Sequence, residues 1–126
     1  MPLMANIVEI DGKKMLDGGV ADSVALKFME RIGYEKNLVI LTQPKGYEKK
    51  PNKYLPLNKI KNKKYPKFID AAERRHIVYN EDIRYIEERE KEGKAFIIRP
   101  EESLDIGAAE KNPDELERVY QIGRRF

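Results

Sequence analysis

The chain has 126 residues, of which 40% are hydrophobic and 37% are charged. This length and composition are typical of one small globular domain with a highly charged surface. The chain contains no cysteine, which excludes disulfides, thiolate metal sites and a cysteine nucleophile within these residues. The net charge of +3 is uneven, because residues 45–67 hold nine lysines and one acid and so carry +8, which leaves −5 for the remainder.

The first predicted element is a β-hairpin. Two short strand-like runs, residues 7–10 and 13–16, flank Asp11 and Gly12. An Asp-Gly pair favours a two-residue turn, because both turn residues need positive φ. The second strand leads directly into Asp17, which is followed by two glycines, so the sequence predicts a sharp turn there.

A helix is predicted over Ala21–Ile32, where apolar residues recur at three- and four-residue steps. Asp22 or Ser23 is a candidate cap for its start, and Gly33 is placed to end it. Residues 37–43 then form a short apolar run rich in β-formers. Such a run after a helix predicts a buried parallel strand.

The lysine-rich segment 45–67 shows no hydrophobic period and is predicted to be mainly a surface loop. Pro66 suits the first turn of the next helix, whose apolar seam is continuous. The alternative is a division in two, with Asn80 as the cap of the second helix. The apolar seam of this helix consists of Phe68, Ala72, His76, Tyr79, Ile83 and Ile86. Since His76 lies on the seam, we expect a partly buried, hydrogen-bonded histidine rather than a metal ligand.

The last two predicted elements are a strand at residues 95–99 and a helix that begins at Pro113. The residues of this helix expected to face inward are Leu116, Val119, Tyr120 and Ile122. The order strand, helix, strand, helices, strand, helix predicts an α/β fold.

Several runs together resemble the bacterial patatin-like phospholipases. The run VEIDGKKMLDGGVADSVALKF (residues 8–28) is similar to the family's second catalytic motif, in which a hairpin leads into an aspartate-glycine-glycine turn and a helix. Further runs resemble, in order, the sequence downstream of that motif in one bacterial branch of the family: ILTQPKGYEKKP, KYPKF, RHIVYN, GKAFIIRPEE and LERVYQIGR. The resemblance implies the C-terminal portion of such an enzyme. It also implies a partial three-layer patatin-like α/β sandwich with a hairpin, a helix, parallel strands and C-terminal helices.

By this resemblance, Asp17 is the acid of a serine–aspartate dyad, and Gly18 and Gly19 support its turn. The carboxylate would accept the serine proton so that the hydroxyl attacks an ester carbonyl. Taken by itself, the tripeptide is more typical of a plain turn. The two serines, Ser23 and Ser103, lack the Gly-x-Ser-x-Gly frame of a nucleophile elbow. We therefore expect a missing N-terminal part to supply the nucleophile, and no esterase activity from this chain alone.

The basic segment suggests a different function. Its lysines can neutralise phosphates, and its tyrosines suit a lipid interface or stacking on bases. The candidate contacts with an anionic surface are Lys49, Lys50, Lys53, Lys61, Lys63 and Lys64. The alternative function is therefore a non-catalytic module that binds an anionic membrane or nucleic acid. Nucleic acid is the less favoured partner, because the segment contains no arginine and matches no nucleic-acid motif.

The expected organisation is a single partial domain over residues 1–126. Residues 1–44 would form the aspartate-motif part of the core, residues 45–67 the basic surface loop, and residues 68–126 the C-terminal helices and strand. An incomplete sheet leaves an open edge and an uncovered apolar face, so we expect a homo-oligomer. The other expected partners are the missing N-terminal part and a lipid or acyl-ester substrate.

No cofactor and no metal site are predicted. The longest apolar runs have four residues, far fewer than the roughly 20 that cross a bilayer, and no secretory signal pattern is visible. The expected location is therefore the cytoplasm or the periphery of a membrane.

Overall fold

The structure is a computed structural model that describes residues 7–52, 63–107 and 109–125. In chain order the elements are β1 (Val8–Ile10), β2 (Lys13–Met15), a 3-10 turn (Gly18–Val20), α1 (Leu26–Arg31), β3 (Asn37–Ile40), α2 (Pro66–Lys91), β4 (Ala95–Ile98) and α3 (Pro113–Gly123). Together they make a small mixed α/β fold with an antiparallel hairpin, two parallel strands and three helices. The predicted α/β class is confirmed at this level.

The predicted hairpin is confirmed, with each strand one residue shorter than expected. β1 pairs antiparallel with β2, and Ile10 stands opposite Lys13. Asp11 and Gly12 have φ angles of 50° and 71°. These are the left-handed values that a two-residue turn of this type requires, which explains why an Asp-Gly pair occupies it.

The first helix is shorter than the sequence predicts, because α1 begins only at Leu26. Before it, the Asp22 carboxylate accepts the N–H of Val24, and the Ser23 hydroxyl donates to the carbonyl of Gly19. Side-chain bonds of this kind offer the backbone an alternative to the helix. The two predicted caps therefore hold turns ahead of α1, and neither caps the helix itself.

Glycines end α1 and α2 in the same way. Gly33 and Gly93 have φ angles of 106° and 72°, which only glycine adopts without strain. The residue after each glycine donates its N–H to a carbonyl five positions back, at 3.1 Å for α1 and 2.9 Å for α2. This is the Schellman arrangement, and both helix ends lie where the glycines predict them.

The strands β3 and β4 are parallel neighbours, with Leu38 opposite Phe96. Since α2 lies between them in the chain, the three elements form a β–α–β unit. The predicted parallel pairing is confirmed. Both strands have four residues and end earlier than predicted, at Ile40 and Ile98.

Helix α2 runs without a break over 26 residues. The predicted division at Asn80 is therefore wrong. The Asn80 side chain instead accepts the N–H of Lys49 at 2.8 Å and donates to the carbonyl of the same residue at 3.1 Å. A residue that looks like a helix cap in the sequence thus serves as a tertiary contact from the middle of a helix.

The hydrophobic core lies between α2 and one face of the β3–β4 sheet. Ile86 of α2 is fully buried at its centre. Its neighbours in the core are Leu26, Val39, Leu41 and Ala95. The alternation along β3 places Val39 in this core while the residues on either side of it point away.

The other face of the same sheet is exposed. Leu38, Ile40 and Phe96 leave 61%, 70% and 65% of their surface accessible. The prediction of buried strands is therefore wrong for this face, because no described element packs on it. Parallel sheets are normally covered on both faces, so this surface is unusual for its type.

The apolar residues of α3 are also left unburied. Asn112 caps the helix by accepting the N–H of Asp114. Leu116 and Tyr120 are exposed, and no described residue of α3 is buried. The prediction that the apolar side chains of α3 face inward is therefore wrong for Leu116 and Tyr120, while Val119 and Ile122 are half-buried.

Candidate functional site

Asp17 lies at the end of the hairpin, directly before the 3-10 turn. Its side chain is exposed, and its Oδ1 accepts the N–H of Gly19 at 2.9 Å. The turn closes with the N–H groups of Ala21 and Asp22, which both donate to the Gly18 carbonyl at 3.0 Å. The local sequence thus fixes one carboxylate oxygen and presents the side chain at the surface.

Gly19 makes room for two charged groups. A Cβ at this position would lie 3.2 Å from Asp17 Oδ1 and 3.5 Å from Arg75 Nη2. The guanidinium of α2 and the carboxylate of the turn therefore flank the same glycine. Helix α2 packs against the turn at this point, so the fold brings together residues that are far apart in the sequence.

The face of α2 that packs inward includes two charged residues that the sequence analysis missed. Ala72, Tyr79, Asp82 and Ile86 are buried, and Arg75 occupies the partly buried position between the first two. The steps of three and four residues continue through both charges. Arg75 and Asp82 therefore lie on the inward side of α2 together with the predicted His76 and Ile83, which are partly buried. An analysis of the period that allowed charged residues on the seam would have found them.

Asp82 and Arg75 differ in their hydrogen bonds. Asp82 is 6% exposed and accepts from Lys27 Nζ of α1 at 2.8 Å. This hydrogen bond raises the pKa of Lys27 above its ordinary value, while desolvation opposes the shift. The Arg75 Nε atom is buried and has no hydrogen-bond partner among the residues that the structure describes.

His76 behaves as the sequence predicts. It is partly buried, and its Nδ1 lies 3.0 Å from the carbonyl oxygen of Glu73. The described ranges contain no group of three or more His, Asp or Glu side chains arranged to hold a metal ion.

Lys49 differs from the solvated lysine that the loop prediction implies. Its main chain exchanges two hydrogen bonds with the Asn80 side chain, and its Nζ lies 4.5 Å from the centre of the Tyr79 ring. Tyr47 packs edge-on against the same ring at 6.2 Å. Burial lowers the pKa of the Lys49 ammonium, and the positive charge of Arg75 lowers it further.

The other predicted surface lysines divide into two groups. Lys50, Lys63 and Lys64 are exposed, as contacts with an anionic surface would need to be. Lys53 and Lys61 lie outside the described residues.

Neither serine directs its hydroxyl proton towards Asp17. Ser23 is partly buried and donates to the Gly19 carbonyl at 2.8 Å, and Ser103 donates to Asp105 Oδ1 at 2.7 Å. Within the described residues, neither serine hydroxyl is therefore placed for Asp17 to accept its proton.

A shallow cleft at the C-terminal ends of α1 and α2 is a separate feature. It is lined by Glu30, Tyr34, Glu35, Lys36, Arg89, Glu92, Gly93 and Lys94. Arg89 pairs with Glu30 at 3.1 Å and with Glu92 at 2.5 Å. These charges largely satisfy one another, so the cleft is a weaker candidate than the surroundings of Asp17.

Residues 65–126 match the model of a family described as a domain of unknown function, DUF6363. The matched part contains α2, β4 and α3, and it leaves the Asp17 turn outside. No curated protein and no solved structure matches the chain. None of the described helices has the length and apolar character needed to cross a membrane.

Proposed function

We propose that this chain supplies the catalytic aspartate of a patatin-like acyl-ester hydrolase, whose nucleophilic serine comes from an N-terminal part of the same protein. The observation that carries the proposal is the setting of Asp17. Its carboxylate is exposed at the end of a strand, and the N–H of Gly19 orients it. The similarity of residues 8–28 to the family's aspartate motif gives that carboxylate a chemical role.

In this role, Asp17 acts as a general base. It takes the proton from the serine hydroxyl, the serine oxygen attacks the ester carbonyl, and the protonated carboxyl passes that proton to the departing alcohol oxygen as the acyl-enzyme forms. Water then attacks the acyl-enzyme. The carboxylate accepts the proton of the water and returns it to the serine oxygen as the fatty acid leaves. Gly18 and Gly19 have no side chains at the turn, which leaves space for a second backbone to approach.

The exposed face of the sheet supports an incomplete sandwich. Leu38, Ile40 and Phe96 present apolar surface next to one another across the parallel strands. Since parallel sheets are normally covered on both faces, further strands and a helical layer from the N-terminal part would complete the fold. The same surface would otherwise favour self-association of the isolated chain.

The test compares the isolated chain with the longer protein read from the upstream reading frame. We expect no hydrolysis of p-nitrophenyl butyrate by the chain alone. In the longer protein, Asp17→Asn should reduce kcat about 1,000-fold or more, since the base is lost. Asp22→Asn removes a neighbouring acid whose carboxylate accepts the N–H of Val24 and should leave kcat within about threefold.

Three results would contradict this proposal. The first is robust ester hydrolysis by the isolated chain. The second is an upstream frame that encodes no Gly-x-Ser-x-Gly run. The third is a longer protein that stays active after Asp17→Asn.

The second candidate is a peripheral contact with an anionic membrane, and the exposure of Lys50, Lys63 and Lys64 favours it. Each lysine near such a surface contributes about 1 kcal/mol of attraction. Co-sedimentation with anionic vesicles should exceed that with neutral vesicles and should fall as salt is added. Equal sedimentation with both kinds of vesicle would exclude this contact.

A further inference from the structure

The Arg75 guanidinium reaches the Asp17 turn from the inward face of α2. Its Nη2 atom lies 3.5 Å from the position that a Cβ of Gly19 would take, and Asp17 Oδ1 lies 3.2 Å from the same position. The two charged groups therefore approach one glycine from different elements of the fold. Opposite charges at such short range attract one another, and the attraction is stronger where water is partly excluded.

Helix α2 determines where this guanidinium stands. Arg75 lies between the buried residues Ala72 and Tyr79 on the inward face, and α2 packs against the turn there. The Arg75 Nε atom is itself buried and has no hydrogen-bond partner within the part of the chain that the structure describes. A buried donor without a partner destabilises the fold. The packing of α2 therefore does not explain an arginine at this position, and its Nη2 end is the part that reaches the turn.

The Asp17 carboxylate needs a fixed orientation if it is to act as a base. A general base must keep an oxygen within hydrogen-bond reach of the proton that it accepts, and a displacement of about 1 Å can cost about 100-fold in rate. The side chain of Asp17 is exposed, and the N–H of Gly19 binds its Oδ1 from within the same turn. A guanidinium held by a long helix adds a constraint from outside the turn.

We propose that Arg75 is a positioning residue for Asp17, and that its charge and its fork of N–H donors hold the carboxylate in the orientation that accepts the serine proton. This inference rests on the proposed function, in which Asp17 is the general base. In this role Arg75 contacts neither the serine nor the ester. Its loss should therefore lower turnover and leave substrate binding unchanged.

The orientation of Asp17 can be measured in the 126-residue chain, without any enzymatic activity. NMR three-bond couplings between the α and β protons of Asp17 report its χ1 rotamer. We expect one dominant rotamer in the native chain and rotamer averaging in Arg75→Gln. Arg74→Gln removes the same charge from an exposed neighbour on α2 and should leave the couplings unchanged. Identical couplings in the native chain and in Arg75→Gln would overturn the proposal.

Kinetics of the longer protein test the consequence for catalysis. Arg75→Gln should lower kcat about 30-fold and leave KM within about twofold, while Arg74→Gln should change neither by more than about twofold. When Asp17 is already replaced by asparagine, Arg75→Gln should have no further effect on kcat, because a residue that acts through Asp17 then has no base to position. A full second loss in the double variant, or a rise in KM, would indicate another role for Arg75 and would overturn the proposal.

A second substitution separates positioning from packing. Arg75→Lys keeps the aliphatic stem and the charge but removes the fork, so it provides the test even where Arg75→Gln disturbs α2. Its kcat should fall about fivefold. A longer protein that stays active after Asp17→Asn would refute the proposed function. A protein that Asp17→Asn inactivates, but that keeps its native kcat in both Arg75 variants, would refute the positioning role alone.

Discussion

The two faces of the β3–β4 sheet have similar side chains and opposite environments. On the inner face, Val39 and Ala95 are buried under α2. On the outer face, Leu38, Ile40 and Phe96 are mostly exposed. Both faces follow from the same four-residue apolar runs, which contain no polar alternation. The difference shows that the described part of the chain covers one side of a sheet that is apolar on both.

The largest loss of stability is expected from a substitution on the buried side of the sheet, at Ile86. Ile86→Ala should destabilise the chain by about 3 kcal/mol, because it opens a cavity at a fully buried position. The matched outer-face variant Phe96→Ala removes a larger side chain but should cost less than about 0.5 kcal/mol, because that side chain is mostly exposed. Urea unfolding of both variants, at a protein concentration low enough to keep the chain monomeric, gives the comparison. A similar loss in Phe96→Ala under these conditions would mean that the outer face is covered within the monomer.

A smaller effect is expected at the ion pair on the inward face of α2. Lys27→Met leaves the buried Asp82 carboxylate without its partner. We expect a loss of about 1 kcal/mol, which is less than for a fully buried pair because the Lys27 side chain is 53% exposed. Lys45→Met, at an exposed lysine, should change stability by less than about 0.5 kcal/mol.

The stability that the Lys27–Asp82 pair contributes should fall at alkaline pH. The Asp82 hydrogen bond raises the pKa of Lys27 above its ordinary value of 10.5. The Lys27–Asp82 pair therefore makes its full contribution to the free energy of unfolding below pH 10.5. This contribution is lost as the pH rises through the pKa of Lys27 in the folded state. The stability difference between the native chain and Lys27→Met should be constant at neutral pH and should shrink in this alkaline range. A difference that grows above pH 10.5 would contradict the assignment.

The smallest effect on stability, and the largest on association, is expected at the outer face. The double variant Ile40→Ser and Phe96→Ser should change the free energy of unfolding by less than about 1 kcal/mol. It should also shift the chain from an oligomer to a monomer in light scattering, since it removes the exposed apolar surface. Ile77→Ser, at an exposed apolar position of α2, is the control and should leave association unchanged. A native chain that is already monomeric at high concentration would refute the proposed homo-oligomer.

Local features were predictable wherever neighbouring residues decide the backbone. The Asp11-Gly12 turn, Pro66 at the start of α2 and the helix ends at Gly33 and Gly93 lie where the sequence indicates. Each depends on an intrinsic φ preference or on a missing N–H. The start of α1 was not predictable in this way, because Asp22 and Ser23 can cap a helix or hold a turn equally well.

The surroundings of Asp17 were only partly predictable. The aspartate itself stands out in the sequence, because two glycines come directly after it. Arg75 does not stand out, because a charged residue on an amphipathic helix is usually assigned to the solvent side. Only the packing of α2 against the turn brings the Arg75 side chain to Gly19, beside Asp17.

The sequence by itself determined the turns, the helix ends, the parallel strand segments and the carboxylate at position 17, because these depend on conformational preferences within a few residues. The tertiary structure alone decided which face of the sheet is buried, which charges lie on the inward seam of α2, and that Arg75 stands beside Asp17. Those outcomes depend on contacts between segments that are distant in the chain, and such contacts leave no periodic signal in a single sequence.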